Sequence, residues 1–112
     1  MNNEIEIMFK RFIVPVSYLK YTGNEKAYIT YQEIQTNDEF DAEDDMQYIK
    51  HVYDFDVYSK TDYTKVVKEL KKMLKDNGWT WLPDNSSSDM YENDTGYYHK
   101  TLCFSKNEYI GG

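Results

Sequence analysis

Apolar residues recur at helical spacing in one stretch of the chain, residues 62–77. An apolar position every three or four residues places such side chains along one face of a helix. Thr61 or Asp62 can cap the first turn, and Gly78 stands where a left-handed residue ends a helix. The pattern predicts one long amphipathic helix whose buried stripe consists of Tyr63, Val66, Val67, Leu70 and Leu74.

Strands are predicted where aromatic and β-branched residues are enriched or alternate with polar ones. In the longest, residues 46–59, one face consists of Ile49, Tyr53, Phe55 and Val57, and His51 interrupts it. These elements predict an α+β fold: a mainly antiparallel β-sheet, with one long amphipathic helix at about 62–77 and a short N-terminal helix packed on it. We expect a single domain over residues 1–112, whose less regular ends, 1–13 and 107–112, could be flexible. The shorter strands are predicted at 16–20, 27–35, 79–82 and 97–106, and the short helix at 4–13.

Two polar segments are predicted to be loops. Residues 38–45 are strongly acidic and contain one large apolar residue, Phe40. Residues 84–94 are rich in Ser, Asn and Asp, which favour turns. Loops project from a compact domain, so both segments are candidate contact surfaces.

Charge and composition narrow the possible functions. The 112 residues include 13 Lys and Arg against 20 Asp and Glu, a net charge of −7. This balance disfavours binding to nucleic acid and to anionic membranes, because both need a cationic surface. No apolar run approaches the ~20 residues of a membrane span, and the first residues do not resemble a signal peptide. Twelve Tyr residues are consistent with either a half-exposed sheet face or a protein–protein interface.

The sequence contains little evidence for a catalytic or a metal-binding site. Cys103 and His99 share one strand face but lie about 13 Å apart at the usual rise per residue, too far for a hydrogen bond. Cys103 is therefore expected to be structural, and as the single cysteine it fits a reducing compartment. A zinc site with His51 and His99 lacks short ligand spacing. The acidic run 38–45 lacks the spacing of a calcium loop, although a divalent ion there stays possible. We predict no enzyme activity, no cofactor and no metal.

Three segments together resemble a known family. They are residues 28–34 (YITYQEI), residues 54–60 with the helix and the Asn77-Gly78-Trp79 turn that follow, and residues 89–104, which include YENDTGYYHK. Over residues 14–104 their order and spacing are similar to those of the small tail completion proteins of long-tailed phages and prophages. These are also described as tail terminator or head–tail joining proteins.

The resemblance implies a structural role in the virion. Members of the family are expected to form a ring, often of six subunits, that caps the tail tube and joins it to the head connector. The implied partners are other copies of the chain, the tail tube protein and the head connector or neck proteins. The implied location is the virion tail, and the host cytoplasm during assembly. No catalytic residue is implied.

Opposite charges predict how subunits of such a ring would meet. A head-to-tail contact joins two different patches, and complementary charge favours their pairing. We expect an acidic loop of one subunit to approach the lysine-rich helix face of the next, with Phe40 as an apolar anchor; the alternative is that both patches are merely solvated. The candidate interface residues are Phe40, Asp41, Asp44, Asp45, Lys68, Lys71, Lys72, Lys75, Tyr91 and Asp94.

A second class of function is an acidic inhibitor that mimics DNA. Such a protein presents carboxylates in place of phosphates and competes with DNA for an enzyme. It is expected to be a monomer or dimer with acidic residues along a whole face. Here the acidic residues concentrate in two segments and the lysines on the helix, which favours the ring.

Overall fold

A six-stranded, mostly antiparallel sheet with two helices forms the fold, and the computed structural model describes residues 1–41 and 46–111. The strand order is β1-β2-β3-β6-β4, and β5 pairs with β6. All pairs are antiparallel except β1 with β2, which is parallel. The elements in chain order are α1 (Asn2–Met8), β1 (Val16–Tyr18), β2 (Ala27–Asp41), β3 (Met46–Ser59), α2 (Thr64–Asp76), β4 (Thr80–Trp81), a 3-10 turn (Pro83–Asn85), β5 (Met90–Glu92) and β6 (Tyr97–Gly111).

The predicted fold is wrong because it contains a long amphipathic helix, and the structure has none among the described residues. α2 has 13 residues rather than extending over 62–77. At its start, an Asp62 carboxylate oxygen accepts a hydrogen bond from the Thr64 N–H at 2.9 Å, so Asp62 lies outside the helix. At its end, Gly78 has a φ of 86°, a left-handed conformation that helical residues do not adopt. The flanking residues therefore form the caps, and the helix itself is short.

Both helices contribute to one hydrophobic core on one face of the sheet. α1 supplies Ile5 and Phe9, and α2 supplies its buried stripe. Phe55 lies at the centre of the sheet, 5.8 Å from the Trp79 ring and 6.0 Å from the Phe104 ring, both in edge-to-face contact. Aromatic pairs of this geometry add stability beyond the area they bury. The α2 residues in this core are Val66, Leu70 and Leu74, and the sheet residues are Ile29, Tyr31, Tyr53, Phe55, Val57, Leu102 and Phe104.

The opposite face of the sheet carries a row of stacked aromatic rings. Tyr21 stacks on Tyr28 at 4.4 Å, Tyr28 on Tyr58 at 4.9 Å, and Tyr58 on His99 at 4.2 Å. These four side chains are half-buried. Three of the twelve tyrosines therefore cover a half-exposed sheet face, one of the two uses that the composition left open.

The outer halves of three strands form an arm beyond the core. We define the β arm as residues 35–41 of β2, 46–51 of β3 and 106–111 of β6, which pair with one another. The prediction that residues 38–45 form a loop is wrong for 38–41, because β2 continues to Asp41 opposite Met46. β6 likewise continues past the predicted end at Lys106. The arm makes the molecule elongated, with extents of 50 × 27 × 21 Å.

Candidate functional site

The lysines of α2 line a groove on the body of the protein. Lys68 lies three and four residues before Lys71 and Lys72, and Lys75 lies four and three residues after them, so the four lysines follow one side of the helix. The groove lies between this helix face and β4 and has a volume of about 640 Å³. The structure thus brings all four predicted lysines into one concave surface. The remaining lining residues are Glu69, Asp76, Trp79, Thr80, Trp81 and Phe104.

The floor of the groove is aromatic. Trp79 and Phe104 are almost fully buried, and Trp81 is 41% exposed. The Trp79 indole N–H is buried and has no acceptor within the described residues. The chain has two tryptophans in all, and both line this groove. An apolar floor with a cationic rim suits a ligand that combines an apolar side chain with negative charge.

Lys71 differs from the other three lysines because it packs on the floor. Its Nζ lies 3.8 Å from the centre of the Trp81 ring, a cation–π contact. Burial, and then the charge of Lys100, lower the pKa of Lys71. The Lys71 side chain is accordingly half-buried.

A hydrogen-bond network fixes the Trp81 side of the groove. The Trp81 indole N–H donates to Ser86 Oγ at 3.1 Å. Ser86 Oγ donates in turn to the Leu82 carbonyl at 3.0 Å and accepts from the Cys103 N–H at 2.9 Å. Because one serine joins β4 to β6, the indole is held in place before any ligand arrives.

The acidic candidates lie far from this groove within the same chain. Phe40 pairs with Gln47 and Asp41 with Met46, at the distal end of the β arm. The predicted interface residues Asp44 and Asp45 lie outside the described residues. Gly111, also at the distal end, is about 20 Å along β6 from Ser105, beside the groove. The structure therefore places Phe40 and Asp41 apart from the lysine-rich groove.

Tyr91 and Asp94 lie at a third place. Tyr91 is exposed in β5, with its ring 4.9 Å from that of Tyr98. Asp94 is exposed in the turn between β5 and β6. Since β5 pairs with the start of β6, these two residues are at the opposite end of that strand from the arm. They do not join the groove.

Neither histidine forms a site with Cys103. His99 Nε2 lies 3.2 Å from an Asp56 carboxylate oxygen, and its Nδ1 lies 3.5 Å from Glu92. Cys103 is fully buried, and burial, together with the charge of Asp54, raises the pKa of its thiol to about 11. In the described ranges no group of three or more His, Cys, Asp or Glu side chains is placed to hold a metal ion.

A buried histidine joins three strands at the root of the β arm, a feature that the sequence did not reveal. His51 Nδ1 lies 2.5 Å from a Glu33 oxygen, and its Nε2 lies 3.0 Å from a Glu108 oxygen. Burial opposes charge on the ring, but the two carboxylates outweigh it and raise the pKa of His51. Each ring nitrogen faces a different carboxylate, so the cluster acts as a clamp between β2, β3 and β6.

Comparison with known proteins gives no family for this chain. No protein-family model matches it, and no curated protein matches it significantly. Within the described residues, neither helix has the length and apolar character that crossing a membrane requires.

Proposed function

We propose that this protein is a structural subunit that assembles with copies of itself into a closed ring, as a tail completion protein of a phage, prophage or tail-like particle. In that role the ring caps the tail tube and joins it to the head connector. The proposal combines the family resemblance of residues 14–104 with one structural observation, the β arm. The acidic balance is compatible with it, because a negative lumen would not retain passing DNA.

The β arm supports self-assembly because a single copy leaves it largely uncovered. In the described part of the chain, no strand pairs with the outer side of β2 beyond Tyr31 or with the outer side of β6 beyond Ser105. Unpaired strand edges template contacts with other chains, and proteins normally cover or blunt them. Tyr109 and Ile110, near the distal end, are 62% and 56% exposed. An exposed arm of this kind is typical of an element that packs on a neighbouring subunit.

Oligomeric state tests the proposal. One chain has a mass of 13.4 kDa. In sedimentation experiments the wild-type protein should form larger species as its concentration rises. Ile110→Lys should shift this assembly to higher concentration, because the lysine places a charge on the arm's contact surface. Ile7→Lys is the matched control: Ile7 is 74% exposed on α1, outside the strands that form the arm, so this variant should assemble like the wild type.

Two results would contradict the ring. One is a wild-type chain that stays a monomer or dimer at every concentration, which would favour the DNA-mimic alternative if it also competed with DNA for a nuclease. The other is equal assembly of the two lysine variants with unchanged thermal unfolding, which would show that the arm makes no contact between copies.

A further inference from the structure

We propose that the lysine-rimmed groove binds the acidic segment, residues 38–45, of a second copy of this chain, with Phe40 entering the groove. The inference rests on the proposed self-assembly and names the two surfaces that meet. Because the groove and the distal end of the arm are separated within one chain, the contact forms between copies.

The groove is rich in positively charged residues, although the protein as a whole is acidic. The chain carries a net charge of −7, yet four of its 13 Lys and Arg residues line this one groove. Asp76 offsets part of this charge through its pair with Lys72 at 3.1 Å, although both side chains are largely exposed. Lys68 and Lys75 are also exposed, so their ammonium groups can reach an incoming anion.

The acidic segment has the complementary chemistry. Residues 38–45 contain six carboxylates and a single large apolar residue, Phe40. An aromatic side chain on a floor of Trp79, Trp81 and Phe104 can form edge-to-face contacts, while the flanking carboxylates meet the lysine rim. Charge attraction at the rim speeds association and selects the partner, and the buried aromatic side chain supplies affinity.

The described part of the acidic segment lies at the distal end of the arm. Residues 38–41 end β2 there, opposite residues 46–49 of β3 and about 20 Å beyond the groove along β6. The groove lies on the body, beside β4 and α2. The two surfaces differ in chemistry and in location, and a ring joins them head-to-tail, which leaves one of each free on every pair of copies.

Tryptophan fluorescence reports on the groove directly, since both tryptophans line it. A synthetic peptide of residues 36–47 contains no tryptophan. Added to the full chain at a concentration where the chain is monomeric, it should change the tryptophan emission saturably. Binding should weaken about tenfold or more between 0.05 and 0.5 M salt, because screening shortens the range of the charge attraction. The same peptide with Phe40→Ala should bind at least about tenfold more weakly.

A charge-swap series tests the contact in assembly. Lys68→Glu with Lys75→Glu should raise the concentration needed for assembly by about tenfold or more, and Asp44→Lys with Asp45→Lys in the same chain should restore it. The control is Lys26→Glu with Lys65→Glu, exposed lysines outside the groove lining that produce the same change in net charge.

The outcomes separate this inference from the proposed function. A wild type that never assembles contradicts the ring, and the peptide titration still tests the groove. A wild type that assembles while the groove reversal matches its control overturns the groove contact and leaves the ring in place. A peptide that leaves the emission of the monomer unchanged at millimolar concentration also overturns it.

Discussion

Leu70 tests whether the stripe on α2 is the main anchor of the helix to the sheet. Its side chain is fully buried and belongs to the same core cluster as Phe55 and Leu102. Leu70→Ala removes three carbon atoms, or roughly 2.4 kcal/mol of transfer free energy at about 0.8 kcal/mol each. The cavity left behind adds to this, which gives an expected loss of about 2–5 kcal/mol in the free energy of unfolding. For a chain of 112 residues that corresponds to a fall of roughly 8–20 °C in Tm.

Lys68→Ala is the matched control for this experiment. Lys68 lies on the same helix and is exposed, so its replacement should cost less than about 0.5 kcal/mol. Lys71 is unsuitable as a control, because its contact with the Trp81 ring adds a cation–π term of about 0.5–1 kcal/mol. Thermal and urea unfolding followed by circular dichroism measure both variants. Equal midpoints for Leu70→Ala and Lys68→Ala would refute the assigned helix face.

Two further predictions concern the histidine clamp and the cysteine. The raised pKa of His51 means that its charged form stabilises the folded state at pH below its unfolded pKa, and that this stability is lost as pH rises through the folded value. His51→Gln should therefore flatten the decrease in unfolding free energy as pH rises above about 6.5, the ordinary histidine pKa; parallel pH profiles of the two proteins would contradict the clamp. The buried Cys103 thiol, with its pKa raised to about 11, should react with iodoacetamide at least about tenfold more slowly in the native chain than in denaturant. Rapid alkylation of the native chain would show that the thiol is accessible and ionised.

Local pattern predicted which residues enter the core but not how far each element extends. The buried side chains of α2, and those of β3 apart from Val52, follow the periods of 3.6 and two that the sequence shows. The extent of β2 was missed because its acidic end disfavours a strand by composition, whereas pairing with β3 overrides that preference. The length of α2 was overestimated at its start because Tyr63 fits the apolar stripe of a helix, whereas it is the N-cap residue.

The arrangement at the root of the arm depends on register, which a single sequence does not specify. A bulge between Glu33 and Gln35 shifts the pairing of β2 with β3. His51, which appeared to interrupt an apolar face, lies on that face because Glu33 and Glu108 come from neighbouring strands to satisfy both ring nitrogens. The three residues are far apart in the sequence, so their spacing does not predict the cluster.

The sequence predicted the lysines of the groove but not its aromatic floor. The spacing of the four lysines placed them on one helix face, but their aromatic counterpart came from tertiary structure. Gly78, in its left-handed conformation, turns the chain at the end of α2 so that Trp79 and Trp81 return beside the same helix. A surface described from sequence as a charged helix face is therefore a concave site with an aromatic floor.

A ring requires the groove contact to be made head-to-tail, and this determines how assembly proceeds. In a head-to-tail arrangement a pair of copies retains one open groove and one open arm end, whereas two copies that exchange both contacts about a two-fold axis form a closed dimer. Each added copy repeats the same contact, and growth stops only when the rotation between neighbours closes a ring; otherwise it continues as a filament. A dimer is thus not an end point of the head-to-tail arrangement at any concentration. Low salt should favour larger species, and high salt should return them to monomers without an accumulating dimer. A dimer that stays the largest species across the salt series would show that copies meet through a two-fold surface instead.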